Sequence, residues 1–121
     1  MAAMNKNLGI SMLLDFYKEL LTDKQTDSLD LYYNQDLSLS EIAEHLHITR
    51  QGVRDNIKRG EKQLLEYEES LNLVGKFSEI MTMCSNISTN IEKLEDMGLS
   101  DDASKCVRNI AYSIGKIENL V

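Results

Sequence analysis

"SLSEIAEHLHITRQGVRDNIKRGEKQL", residues 38–64, holds two apolar rows of helical period separated by a short break. Ile42, Ala43 and Leu46 fall on one face of a short helix, Ile48 fills the turn, and Val53 and Ile57 face back from the helix that follows. This is the spacing of a helix-turn-helix. The small Ala43 lets the second helix approach closely, and the apolar set fixes the crossing so that the second helix stands clear of the body. Ser38 and Glu41 form a capping box for the first helix, predicted over Leu39 to Leu46. The second begins after Thr49 and meets no strong stop through Tyr67 and Leu71, which predicts more than 20 residues, or about 30 Å. His47 stands at the turn position where glycine commonly adopts a positive φ, at a cost of about 1 kcal/mol. Gly52 and Gly60 each lower helix propensity by about 1 kcal/mol relative to alanine, so a soft recognition helix is expected.

Upstream, Ile10, Leu13, Leu14, Tyr17, Leu20 and Leu21 recur at amphipathic spacing and predict an N-terminal helix. Thr22 caps a further helix through Leu29, Leu31, Tyr32 and Tyr33. Downstream, the pattern restarts after Gly75 with Phe77, Ile80, Met81, Cys84, Ile87, Ile91 and Leu94 on one face. Gly98 offers a left-handed stop with Leu99 as its hydrophobic contact, and Ser100 caps a last helix bearing Ala103, Val107, Ile110, Ala111, Ile114 and Ile117. The two stripes can close as an antiparallel hairpin. The expected organisation is therefore all-α. Residues 1–74 carry the helix-turn-helix with its N-terminal helix and long recognition helix, and residues 75–121 carry a C-terminal hairpin packed on the first part.

Composition agrees. In 121 residues there is no proline and no tryptophan, and 42% are hydrophobic, which fits one compact domain or a small domain with an appendage. No secretory leader pattern and no run of about 18 apolar residues is seen, which reads as a soluble cytoplasmic chain without membrane insertion. Cys84 and Cys106 form no CxxC or Cys/His cluster and are expected to be reduced, buried thiols. His45 and His47 lack companions at ligand spacing, so no metal is expected. There is no phosphate loop, no nucleophile with a base and no carboxylate pair, so neither an enzyme nor a cofactor is indicated.

The chemistry lies on the free face of the second helix. Arg50, Gln51, Arg54, Asp55 and Lys58, with Arg59 and Lys62 beside them and Thr49 at the helix start, are the candidate nucleic-acid contacts. Arginine pairs bidentately with guanine and glutamine with adenine, an acid accepts from cytosine, and lysine meets phosphate as a point charge. The same face is equally read as solvated surface, or as part of a protein-docking module. From Arg50 to Lys62 the balance is +3, whereas the whole chain is at −7, leaving −10 elsewhere. DNA binding by a single copy should then be weak and salt-sensitive. Self-association as a two-fold dimer would double the basic face.

"LTDKQTDSLDLYYNQDLSLSEIAEHLHITRQGVRDNIKR", residues 21–59, is similar to region 4 of bacterial sigma factors. With "LLDFYKELLT", residues 13–22, before it and "EKQLLEYEESLNLVGKF", residues 61–77, after it, the chain resembles the YlxM family. That resemblance implies a DNA-binding regulatory protein with a role in the signal recognition particle pathway. Its alternative is an accessory factor that binds the particle's RNA or GTPase subunit without specific DNA binding. Sigma-like recognition would direct Arg50, Gln51 and Asp55 to bases and Arg54, Lys58 and Arg59 to phosphates.

Overall fold

The computed structural model describes residues 9–120, which are all-α and divide into two compact units, the first ending at Val74 and the second beginning at Gly75. The helices are α1 (Gly9–Tyr17), α2 (Asp23–Tyr33), α3 (Leu39–Leu46), α4 (Arg50–Leu71), α5 (Leu73–Glu95) and α6 (Asp101–Leu120), with a 3-10 turn at Lys18–Leu20.

In the first unit α4 is the hub, packed against α1, α2 and α3, while α2 also touches α1 and α3. Its buried row is Val53, Ile57, Gly60 and Leu64, at the three- and four-residue spacing that places side chains on one helical face. The row meets Ile10, Leu14 and Tyr17 of α1, Leu29 and Tyr32 of α2, and Leu39, Ile42 and Ala43 of α3 in one core. Gly60 has a steric reason to be there. A Cβ built at that position would lie 2.6 Å from Leu29 Cδ1 and 3.3 Å from Leu29 Cγ, and Leu29 is fully buried with no room to retreat. The glycine that lowers helix propensity in α4 also permits the α2–α4 approach.

Caps set the helix boundaries. Thr22 and Gln25 form a reciprocal capping box at the start of α2, as Ser38 and Glu41 do for α3. Because Thr22 must begin α2, α1 closes early: the Leu21 N–H donates to Lys18 O at 3.1 Å and the chain tightens into the 3-10 turn. That turn swings Leu20 out to 53% exposure while Leu21 stays buried, so Leu20 does not belong to the core stripe.

α4 and α5 are joined through Asn72 alone, which takes the left-handed conformation at φ 52°. The expected restart after Gly75 is thus displaced to Leu73, and Gly75 lies inside α5. A polar clasp serves the new helix end. The Tyr17 hydroxyl donates to Glu68 Oε1 at 2.5 Å and accepts from the Leu73 N–H at 3.0 Å, and the Val74 N–H donates to the same Glu68 oxygen at 3.0 Å. A carboxylate in the last turn of α4 opposes that helix's dipole, but here it satisfies the Val74 amide at the start of α5, where negative charge is favoured. The Tyr67 ring lies 5.9 Å from that of Tyr17, and its hydroxyl donates to Leu20 O at 3.2 Å.

In the second unit Gly98 adopts φ 74°, and the Ser100 hydroxyl accepts from the Ala103 N–H at 3.2 Å to cap α6. Only part of each expected stripe is buried: Cys84 and Ile91 on α5, Val107 and Ile114 on α6. Ile80, Ile87, Leu94, Ile110 and Ile117 remain 38–47% exposed, because two helices cover only one flank each. Cys106 is likewise exposed, against the expectation of two buried thiols.

Two tests follow from this packing. Gly60→Ala gains about 1 kcal/mol of helix propensity but overpacks Leu29 at a cost of about 1–3 kcal/mol, so the circular-dichroism melting temperature should fall. Gly115→Ala, at a helical position where an added Cβ meets nothing within 4 Å, should raise it; equal shifts for the two would refute the close-approach assignment.

The second test concerns the clasp. Burial first, and then the hydrogen bond to Glu68, raise the Tyr17 pKa, with the Leu73 amide pulling the other way. A raised folded-state pKa means that this stability is intact below the ordinary tyrosine value of about 10 and is lost as pH rises above it. Tyr17→Phe should cost about 1–3 kcal/mol at neutral pH by orphaning the clasp partners. It should also flatten the alkaline loss seen in the parent; an unchanged alkaline slope would show that Tyr17 is not its source.

Candidate nucleic-acid interface

The turn between α3 and α4 is built by backbone geometry. His47 takes φ 57°, and the Ile48 N–H reaches back to Ala43 O at 3.1 Å. This is the 6→1 closure that ends a helix with a left-handed residue. Ile48 then tucks against the core, and Thr49 turns the chain into α4. The Thr49 hydroxyl accepts from the Gly52 N–H at 2.9 Å. Thr49 therefore acts first as the N-cap of α4 and only through its outward side as a surface residue. The α3 start is held by Glu41, whose carboxyl is kept below the usual carboxylate range chiefly by the Ser38 backbone N–H and then by the Ser38 side chain.

Opposite the buried row of α4 runs an outward row, Gln51, Asp55, Lys58 and Lys62, at steps of four, three and four residues. Arg54 flanks it on one side and Arg59 on the other. Thr49, Arg50, Gln51, Arg54, Asp55, Lys58, Arg59 and Lys62 are all exposed. The first turn of α4 and the start of α3 enclose a shallow depression lined by Leu39, Arg50, Gln51 and Arg54. The α4 N-terminus adds the positive end of a 22-residue helix to this basic surface, with no acidic residue in its first turn. Such a surface can meet an anionic backbone with point charges and present amide, guanidinium and carboxylate groups to base edges.

One contact within the surface was not anticipated. Gln51 Nε2 donates to Asp55 Oδ1 at 3.0 Å. Glutamine and aspartate four apart on a helix form a known hydrogen-bonding pair, so the spacing alone carried the signal. His45 lies instead over a depression lined by Asp27, Asp30, Leu31 and Leu46. Among the described residues no group of three or more His, Cys, Asp or Glu side chains is arranged to hold a metal ion. Nor is any described helix long and apolar enough to cross a membrane.

Comparison with known proteins gives this geometry a family. The model of the family described as "Putative helix-turn-helix protein, YlxM / p13 like" matches residues 4–102. A UPF0122 protein of Acetivibrio thermocellus is 44% identical over 114 residues, covering 94% of this chain and 97% of its own length. A UPF0122 protein of Clostridium novyi is 40% identical over 111 residues, covering 92% of this chain and 96% of its own. One from Clostridium kluyveri reaches 58% identity over 71 residues, 59% of this chain and 64% of that protein. With a helix-turn-helix closed at His47 and capped at Thr49, with the family model matched over residues 4–102 and with two of these relatives matched over nearly their whole length, the chain belongs to the YlxM/p13-like family of helix-turn-helix proteins.

Proposed function

We propose that the protein is a cytoplasmic, non-enzymatic regulator that binds duplex DNA through the first three turns of α4. The observation that carries the reading is the outward row of Gln51, Asp55, Lys58 and Lys62, exposed along the flank opposite Val53, Ile57 and Leu64. A recognition helix must keep its outward flank free for the groove, and this one does. Arg50, Gln51 and Asp55, in the first two turns, face bases; Arg54, Lys58 and Arg59 hold phosphates, with Lys62 one turn further along. Thr49 supports the entry of the helix through its cap.

A second reading is favoured by the charge balance. The −10 borne outside Arg50–Lys62 makes a basic protein surface, or RNA already covered by basic protein, an easier partner than bare DNA. In that reading the chain is an accessory of the signal recognition particle, contacting its RNA or its GTPase subunit. Self-association belongs to the proposal as well. The exposed Ile80, Ile87, Leu94, Ile110 and Ile117 of α5 and α6 offer apolar surface for a second copy, and a dimer presents two basic helices to one duplex.

Duplex binding by the parent, Arg50→Ala and Lys58→Ala forms across a salt series separates the two readings. Both variants should bind duplex more weakly, and loss of the Lys58 phosphate contact should flatten the log-log salt slope by about one unit. Tighter binding to the particle's RNA or GTPase subunit than to any duplex, unaffected by either substitution, would replace the regulator reading by the accessory one. For self-association the measurement is sedimentation at tens of micromolar: a dimer mass is expected, and a monomer mass removes the dimer.

A further inference from the structure

Asp55 is the only acidic residue between Arg50 and Gly60, a stretch that also holds Arg50, Arg54, Lys58 and Arg59. An acid there weakens attraction to any phosphate backbone, so it works against sequence-independent binding. It also engages Gln51, whose Nε2 lies 3.0 Å from Asp55 Oδ1. An ionised carboxylate accepts but does not donate, so this contact dictates which way the Gln51 amide faces. The nitrogen turns along the helix to Asp55, and the Gln51 carbonyl oxygen and second N–H are left for a ligand.

We infer that Gln51 and Asp55 act as one reading unit, rich in acceptors, that selects an amino-bearing base, adenine or cytosine, on the strand it faces. The inference rests on the duplex-reading proposal above and names the determinant of its specificity. In the major groove adenine N6 and cytosine N4 donate, whereas guanine O6 and N7 and thymine O4 only accept. The Gln51 oxygen and the second Asp55 oxygen match the first pair. Against guanine or thymine the same two oxygens face lone pairs, with a full negative charge behind one of them. Adenine gains further, because the remaining Gln51 N–H can donate to N7. Asp55 has two roles here: it positions Gln51, and it bars acceptor edges by its own charge.

The test is enrichment of a randomised duplex pool by the full chain, followed by sequencing, for the parent, Asp55→Asn and Gln51→Ala. Asp55 and Gln51 are exposed, and unchanged circular dichroism would confirm that the variants fold. The parent should enrich adenine or cytosine at one position by on the order of tenfold over guanine and thymine. Asp55→Asn should bind duplex more tightly overall, because one negative charge is gone, and should lose that preference; Gln51→Ala should lose it without the gain in affinity. Tighter binding by Asp55→Asn with the preference intact would make Asp55 a mere charge and overturn the inference while leaving duplex reading in place. Parent binding with no base preference would do the same. If no member of the pool is retained by the parent, the duplex-reading proposal falls and takes this inference with it.

Discussion

Everything exposed on α4 is fixed by what α4 buries. Val53, Ile57 and Leu64 are fully inaccessible, each worth about 1.5–3 kcal/mol of burial, and Gly60 keeps the same flank thin enough for Leu29 to close on it. A rotation of α4 about its axis by one residue would bring Arg54 and Lys58 inward at a cost of several kcal/mol per unpaired charge. The outward row is therefore held in place by the apolar row behind it. Packing thus sets which side chains α4 presents to solvent, because the core allows α4 one azimuth, and the Gln51–Asp55 contact adds local order within that row.

The position of α4 along its own axis is fixed separately, and at both ends by polar contacts. At the start, His47 and the Thr49 cap set the first helical residue. Toward the far end, Tyr17, Glu68 and the first amides of α5 make a clasp in which each group answers another's unsatisfied bond. Tyr33 adds a tie from α2 to the middle of α4, its hydroxyl donating to Glu61 Oε1 at 2.5 Å. Three tyrosines thus tie α4 to the α1–α2 part of the chain through their polar tips while their rings fill apolar space, the use to which a partly buried tyrosine is suited. Glu68 holds its half-buried position with the Tyr17 hydroxyl and the Val74 N–H both donating to its Oε1.

Much of the first unit was legible because its signals are local. The apolar spacing over residues 38–64 and the Ser38/Glu41 box place α3, and the chain break at His47–Thr49 places α4, with no reference to distant residues. Where the reading failed, a non-local effect decided. Periodicity would continue α1 through Leu20, but the α2 cap at Thr22 leaves too few residues, and the chain turns. Gly75 looked like a break because glycine is a poor helix former, whereas the break falls at Asn72, whose left-handed conformation is supported from Tyr17 at a distance of more than fifty residues in sequence. Cys106 was expected among buried apolar neighbours, yet a two-helix layer has two flanks and buries one, so Cys106, Ile110 and Ile117 face outward. On the candidate site the residue types and their face were readable, while the Gln51–Asp55 contact required a rotamer to be seen.

The basic face of α4 belongs to a chain at −7, and part of that acidity is set apart from it by distance. α4 spans about 33 Å at 1.5 Å per residue; Arg50, Arg54, Lys58, Arg59 and Lys62 come first, interrupted by Asp55 and Glu61, and Glu66, Glu68 and Glu69 follow. From the middle of the basic part to the acidic part is about 16–20 Å, roughly two Debye lengths at physiological ionic strength. An anion against the first turns is therefore largely screened from Glu66, Glu68 and Glu69, whereas Glu41 and Glu44 belong to α3, which packs on α4. At lower salt the screening length grows and the acidic part is felt, opposing the strengthening that fewer competing counterions would otherwise give. The acidic balance thus limits long-range, sequence-independent attraction to any polyanion, while the acidic end of α4 itself bears little on short-range contact at its first turns.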